Sequence, residues 1–300
     1  MEKLPFEQRK YKVLIKREAK TEPNQGSDPN KRPIEELICN GIINLNKPAG
    51  PTSQQTVSYV KNILKIKSAG HSGTLDPNVS GVLPIALDQA TRIVQATLNA
   101  GKEYICLMHL HKDIPKEEIK KTFPKFVKKI TQLPPLRSAV KRQERQREIY
   151  YLKILEIDER DILFKVGSEG GTYIRRLCEQ LGEKLGTKAH MQQLIRTKAG
   201  PFKKENWHSL HDLKDAYEFY KEGNEKQLRK IILPIESATQ HLKKVYTLDS
   251  AINTLCHGAS LSIPGISKLD SDIKKNDLIA ILTLKEELVG LGISNLTSKE

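Results

Sequence analysis

Cysteine is scarce in this sequence: Cys39, Cys106, Cys178 and Cys256 lie tens of residues apart in 300. They supply neither a dense disulfide framework nor a C-x-x-C knuckle, so a disulfide-stapled scaffold is excluded and no metal is expected. Long apolar runs are missing too. A stretch such as Val82–Leu87 falls far short of the ~20 residues that span a bilayer. The first twenty residues carry charges throughout and lack the apolar segment of a secretory signal. No membrane contact is expected, and an intracellular, cytoplasmic location is. The phosphate loop G-x-x-x-x-G-K-[ST], the dinucleotide turn G-x-G-x-x-G and the zinc-deaminase pair H-x-E with P-C-x-x-C are absent as well.

What the chain has in excess is positive charge: 50 Lys and Arg against 36 Asp and Glu, a net +14 and a pI near 9.4. Residues of hydrophobic type reach 38%, enough to bury a core, so full disorder and collagen-like repeats are excluded. The length fits one large domain and one small one. The basic excess is uneven, with +8 of it within residues 112–153. Lys and Arg that neutralise phosphates release condensed counterions, which makes nucleic acid the first partner to consider. Lys116, Lys120, Lys121, Lys125, Lys128 and Lys129 fall in a helical-looking stretch and read equally as a solvated face. Arg137 to Arg147, an Arg-rich run with Lys141 and Arg142 after Pro134-Pro135, reads as phosphate-facing.

Residues 1–39 mix charge with the turn-rich run Thr21 to Pro33 and read as an extended arm. Ile42 to Leu45 reads as a strand, Ser53 as a helix N-cap, and Val57, Val60 and Leu64 as one helical face. A Gly-rich loop follows from Ala69 to Gly81. Val82–Leu87 and Tyr104–Leu110 read as strands with a helix between, and Leu152–Ile157 and Ile162–Val166 as a hairpin about Asp158-Glu159-Arg160. Ile174, Leu177, Leu181 and Leu185 keep helical spacing, which puts Tyr173 and Arg175 at a junction into a helix. Near residue 240 the pattern changes to a β-rich appendage with Gly258, Pro264-Gly265 and the apolar run Leu278–Leu284. His109 and His111 alternate on a strand without a third ligand nearby and read as ordinary strand residues, as do His208 and His211.

The most informative run is Gly70-His71-Ser72-Gly73-Thr74-Leu75-Asp76-Pro77. Two glycines let backbone approach a ligand, a histidine can touch phosphate or base, and a carboxylate is held rigidly ahead of proline. By itself the run also reads as an Asp-Pro turn, or as the G-x-x-G clamp of a KH domain.

Five ordered motifs carry a resemblance. Gly41 to Ser53 with Lys47-Pro48, Gly70 to Pro77, Gly101-Lys102-Glu103-Tyr104, Pro134 to Arg142, and Gly171-Thr172-Tyr173-Ile174-Arg175 are similar in order and spacing to the pseudouridine synthases that include dyskerin, its archaeal orthologues and bacterial tRNA pseudouridine synthase B. The resemblance covers roughly residues 40–235, and Gly26 to Pro33 in the arm is similar to archaeal and eukaryotic dyskerin-type proteins. Without the long Lys-rich tails of the eukaryotic forms, the chain resembles an archaeal orthologue. From about 243 it resembles a PUA domain, with His257-Gly258-Ala259 and Pro264-Gly265 in place, and stops at Glu300 short of the last strand of such a fold.

The resemblance implies an α+β fold: a catalytic domain on a mixed, largely antiparallel sheet and a small C-terminal PUA-like β-barrel. The expected division is an N-terminal extension 1–39, a catalytic domain 40–240 and an RNA-binding domain 241–300. It implies isomerisation of uridine to pseudouridine in the TΨC loop of tRNA (uridine 55), in guide-selected rRNA as the catalytic subunit of an H/ACA ribonucleoprotein, or both. The reaction breaks the N1–C1′ bond, turns the base and rejoins it through C5, so no cofactor is expected. The target base must leave its stack to reach a pocket. By resemblance Asp76 is the catalytic carboxylate, by direct attack on C1′ or by elimination through a glycal. Arg175 pairs with it, Arg176 being the adjacent alternative. Tyr104 stacks on the base and assists proton transfer from C5, and Tyr173 lines the other side. His71, Lys47, Arg137, Lys141 and Arg142 are the expected substrate-binding residues. The partners implied are tRNA, or an H/ACA guide RNA with its rRNA target and three small companion proteins. A non-catalytic RNA-binding scaffold is the competing reading.

Overall fold

The computed structural model describes residues 2–134 and 143–300. In chain order the elements are β1 (Val13–Ile15), α1 (Ile34–Asn40), β2 (Gly41–Lys47), α2 (Ser53–Leu64), β3 (Ala69–His71) and β4 (Ser80–Leu87). They continue with α3 (Val94–Leu98), β5 (Lys102–Leu110), α4 (Lys116–Thr122), β6 (Lys129–Gln132), β7 (Arg145–Asp158), β8 (Asp161–Ser168), α5 (Ile174–Lys184) and β9 (Ala189–Ala199). The rest are β10 (Phe202–Lys203), α6 (Leu210–Lys221), α7 (Leu228–Ile231), β11 (Ile232–Pro234), β12 (Lys243–Thr247), α8 (Asp249–Cys256), β13 (Ile266–Asp270), β14 (Leu278–Leu282) and β15 (Leu288–Ile293).

The larger sheet runs β11-β2-β4-β9-β5-β8-β7-β6, with β3 added to β4 and β10 to β9. All its pairings are antiparallel except β4 with β9, a short parallel contact of Ser80 with Ile195 and Gly81 with Arg196. The smaller sheet runs β1-β13-β12-β14-β15. The architecture is the expected α+β with largely antiparallel sheets. Alternation along β5 explains its place: Tyr104, Cys106, Met108 and Leu110 are buried on the face that packs α5, while Ile105 and Leu107 on the other face are half-buried. Val57, Val60 and Leu64 of α2, and Leu177, Cys178 and Leu181 of α5, close that core from above. A second apolar cluster, including Val82, Ala86, Ile93, Tyr246, Ala280 and Leu282, fuses the two sheets.

Several local expectations need correction. The segment read as an extended arm contains α1, whose Ile34, Leu37 and Ile38 are buried at helical spacing. Its residues 13–15 join the smaller sheet against β13, and Arg9 binds Asp270 and Asp272, each at 2.8 Å. Ala69–His71 is a strand rather than loop, because it pairs with Ile85–Leu87 of β4. The lysine-rich helix stops at Thr122, where Phe123 turns inward to meet Phe164 edge to face at 5.5 Å. Lys129 is therefore on strand β6, and Lys128 precedes it. Thr52, and not Ser53, caps α2: its side chain accepts from Gln55 N–H, and Gln55 answers on the Thr52 N–H.

Candidate active site

Asp76 stands on the loop between β3 and β4, half-exposed at 51% of its side chain. That loop is held from beneath by two side chains. Ser53, released from capping by Thr52, is 1% exposed; its Oγ donates to Leu75 C=O at 3.0 Å and accepts from Leu75 N–H at 2.9 Å. Lys47, with no exposed surface, sends Nζ to the carbonyls of Pro48 (2.8 Å), Pro77 (3.1 Å) and Val79 (2.9 Å). Burial, with the charge of Arg196, holds its ammonium below the usual lysine range, and Asp76 opposes the shift. Lys47 thus spends its donors on the backbone that flanks Asp76.

Behind the loop lies a residue that sequence reading missed. Arg196 of β9 is 1% exposed; its Nε donates to Val82 C=O at 2.7 Å, and its Nη2 to Gly73 C=O at 3.1 Å. It stands opposite Tyr104 in the β5–β9 ladder. Burial lowers the guanidinium's pKa, and Tyr104 works against that. Gly73 needs no side chain because its φ is +112°, whereas Gly70 has an ordinary backbone and room for a Cβ. Gly81, at φ +113°, lets β4 close on Arg196: a Cβ there would lie 2.8 Å from Arg196 N and nearer still to its carbonyl oxygen. The charge so placed also reaches His71 and Lys102. Burial first and Arg196 second hold His71 below the usual imidazole range, and its Nδ1 is buried without a partner among the described residues. Lys102 is pushed down to about 7 by burial, then by Arg196, while its Nζ donates to the carbonyls of Thr97 (3.0 Å), Leu98 (2.6 Å) and Ala100 (2.8 Å). It ties off the end of α3 and fixes the start of β5.

Across from the loop, α5 opens at Tyr173, which has extended backbone (φ −94°, ψ 104°) and a half-buried side chain. Two residues on, Arg175 donates from Nη2 to Asp76 Oδ2, joining residues 99 apart in sequence. Arg176 instead pairs with Glu179 of its own helix. Beneath this pair, Cys106 of β5 and Cys178 of α5 pack thiol to thiol at 3.6 Å, both fully buried. Its contact with Cys106, then burial, pushes the Cys178 thiol up, so the two behave as core residues. The geometry therefore brings Arg175 to Asp76, with Lys47 and Arg196 holding the backbone of the Asp76 loop, Tyr104 opposite Arg196, and Tyr173 two residues before Arg175 at the entry to α5. A half-exposed carboxylate oriented by a guanidinium suits attack on an electrophilic carbon.

Arg137, Lys141 and Arg142 lie outside the described residues. The lysines of α4 are exposed, and Lys120 pairs with Glu117 at 3.0 Å. His109 lies far along β5, with Nδ1 at 2.6 Å from Asp161, and His111, just past the strand, meets His190 at 3.0 Å. Among the described residues, no helix is long and apolar enough to cross a membrane.

Comparison with known proteins gives this arrangement a family. The description "TruB family pseudouridylate synthase (N terminal domain)" matches residues 61–174, and "tRNA pseudouridylate synthase B C-terminal domain" matches 175–240. A DKCLD domain matches 1–57 and a PUA domain 243–300. The chain is 56% identical over 294 residues to a Pyrococcus horikoshii protein named "Probable tRNA pseudouridine synthase B", covering 97% of this chain and 88% of that protein. A Methanopyrus kandleri protein of the same name is 52% identical over 299 residues, covering 99% and 88%. Among solved structures, a chain of a Cbf5-Nop10-Gar1 complex superposes with a TM-score of 0.95 at 55% identity, covering 99% of this chain and 91% of that one. A chain of an H/ACA RNP bound to a substrate RNA containing 2'-deoxyuridine gives 0.92 at 51%, covering 99% and 92%. Motif order, fold and these likenesses agree: the chain belongs to the TruB family of pseudouridylate synthases, in the branch that joins the catalytic fold to DKCLD and PUA domains.

Proposed function

We propose that this pseudouridine synthase works as the catalytic subunit of an H/ACA ribonucleoprotein, and that Asp76 initiates the reaction on a flipped uridine. The observation that carries the site assignment is the Arg175 to Asp76 pair, which links two distant motifs at an open rim. The guanidinium aims Asp76, so the carboxylate meets C1′ as the N1–C1′ bond breaks. Tyr104 supports one face of the detached uracil and Tyr173 the other, which holds the base while it turns. The C5–C1′ bond then forms as the Asp76 carboxylate leaves C1′, the C5 proton leaves, and N1 takes a proton, so composition is unchanged and no redox partner is called for. His71, neutral by virtue of burial, packs against the extruded nucleotide, and Lys47 keeps the Asp76 loop in place.

The guided reading is favoured over the stand-alone one by the DKCLD and PUA matches and by solved relatives seen in a Cbf5-Nop10-Gar1 complex and in an H/ACA RNP with substrate RNA. In it, residues 241–300 hold the 3′ end of the guide, residues 40–240 carry the chemistry, and residues 1–39 strap the two together. The basic run with Arg137, Lys141 and Arg142 contacts RNA phosphates. Modification of tRNA, named in the archaeal relatives, is a second activity of the same site. A cytoplasmic location belongs to this reading. The test is tritium release from C5-labelled uridine, comparing bare tRNA with a mixture of guide RNA, target RNA and companion proteins. Release that requires the mixture for rRNA targets supports the guided reading; release from bare tRNA alone assigns the chain to tRNA.

A further inference from the structure

Gln132, the last residue of β6, is 3% exposed and faces the backbone of Tyr173 as one amide faces another. Its Oε1 accepts the Tyr173 N–H at 3.0 Å, and its Nε2 donates to the Tyr173 carbonyl at 3.2 Å. The same Nε2 donates to Gln180 Oε1 at 3.3 Å, and Gln180 Nε2 donates to Thr131 C=O at 2.8 Å. The ring thus closes across β6, the entry to α5, and α5 itself. Only one orientation of the Gln132 amide satisfies both Tyr173 groups, since its flip would set oxygen against oxygen. The Tyr173 carbonyl meanwhile accepts Leu177 N–H at 3.0 Å, the first bond of α5. That helix has no side-chain cap of its own at this end. Gln132 does from outside what a capping side chain does from within: it fixes the backbone angles of the N-cap residue. Two residues beyond that fixed point, Arg175 reaches Asp76.

We propose that Gln132 is a positioning residue for the isomerisation: through the Tyr173 backbone it sets where the Tyr173 ring and the Arg175 guanidinium stand against Asp76, without touching RNA. The proposal rests on the assignment of Asp76, Tyr173 and Arg175 to the reaction. A Gln132→Met variant fills the space without either hydrogen bond. Gln132→Glu keeps an acceptor for Tyr173 N–H but turns a second oxygen onto the Tyr173 carbonyl, unless it is protonated and donates there as the amide does.

The experiment measures single-turnover tritium release, RNA affinity and melting temperature for the full chain, in whichever mixture supports release by the wild type. Gln132→Met is expected to lose tenfold or more in rate with RNA affinity unchanged within twofold. Gln132→Glu is expected to be slow at pH 8 and to regain rate relative to the wild type as pH falls to 5.5. A Gln132→Met rate within twofold of wild type, or a rate loss matched by an equal loss of affinity, overturns the proposal. So does a ratio of Gln132→Glu to wild type that stays flat with pH, a readout that decides the matter even where the Met variant does not fold. Asp76→Asn run alongside keeps the two failures apart, since an active Asp76→Asn enzyme refutes the underlying site assignment and not the role of the amide alone.

Discussion

Replacing Ser53 by alanine removes one oxygen and no more, yet it strips both partners from Leu75, the residue before Asp76. The lost bonds are 2.9 and 3.0 Å long and lie where neither Ser53 (1% exposed) nor Leu75 (4%) meets solvent. A buried N–H or C=O left without a partner costs roughly 1–3 kcal/mol, so the pair should cost about 3 kcal/mol. At roughly 2–4 °C per kcal/mol for a chain of this size, melting should fall by about 6–12 °C. The catalytic cost should exceed that share, because the loop freed by the change carries the carboxylate. At 25 °C, where the variant stays folded, tritium release should drop at least tenfold with RNA affinity intact. Thr52→Ala is the matched control, one residue away on the same helix. It loses only the cap, worth about 1 kcal/mol, and should keep its rate. A Ser53→Ala protein that melts within 2 °C of wild type, or the same rate loss in both variants, would refute the reasoning.

Gly81→Ala should be more damaging still. Its φ of +113° and the backbone of Arg196 both oppose a Cβ, for a cost on the order of 3 kcal/mol or more. Gly50→Ala, at φ +111° with nothing within 4 Å, isolates the conformational share when both are melted. His241 should make part of the acid sensitivity. Burial pushes it down to about 4, while Nε2 holds Ala96 C=O at 2.9 Å. The folded state keeps it neutral and the unfolded state protonates it near 6.5, so its contribution is whole above pH 6.5 and drains away as pH falls to 4. That loss is about 3 kcal/mol. His241→Gln, which retains a donor and cannot titrate, should flatten denaturant-derived stability across that window; an unchanged slope would show that His241 is accessible to protons in the fold.

Much of the scaffold was legible because it is written in local periodicity. The alternation of β5 and the spacing of Val57, Val60 and Leu64 place strand and helix correctly. The turn at Glu159, φ +47°, joins β7 and β8 where the charged triplet lies. What failed was decided by neighbours. Thr52 and Ser53 are both N-cap types, with Ser the better by type, and only the loop at Leu75 tells which hydroxyl is needed elsewhere. Ala69–His71 looks like loop because two of its residues are small, and pairing with β4 makes it a strand. The partnership of Asp76 with Arg175 came from motif order, since no spacing rule spans 99 residues. Arg196 and Gln132 gave no signal. Each is a polar residue on a strand, and each is buried only because a distant segment closes over it: the β4 backbone at Gly81 on Arg196, and the entry to α5 on Gln132.

The most direct test of the account is Asp76→Asn, which keeps the size of the side chain and removes its charge. Tritium release, RNA affinity and the salt dependence of that affinity should be measured on the same preparation. The account predicts release lowered by at least a thousandfold, with affinity and salt slope unchanged, because the basic surface and not the carboxylate binds phosphate. Release within tenfold of wild type, or an affinity that falls together with activity, would contradict it.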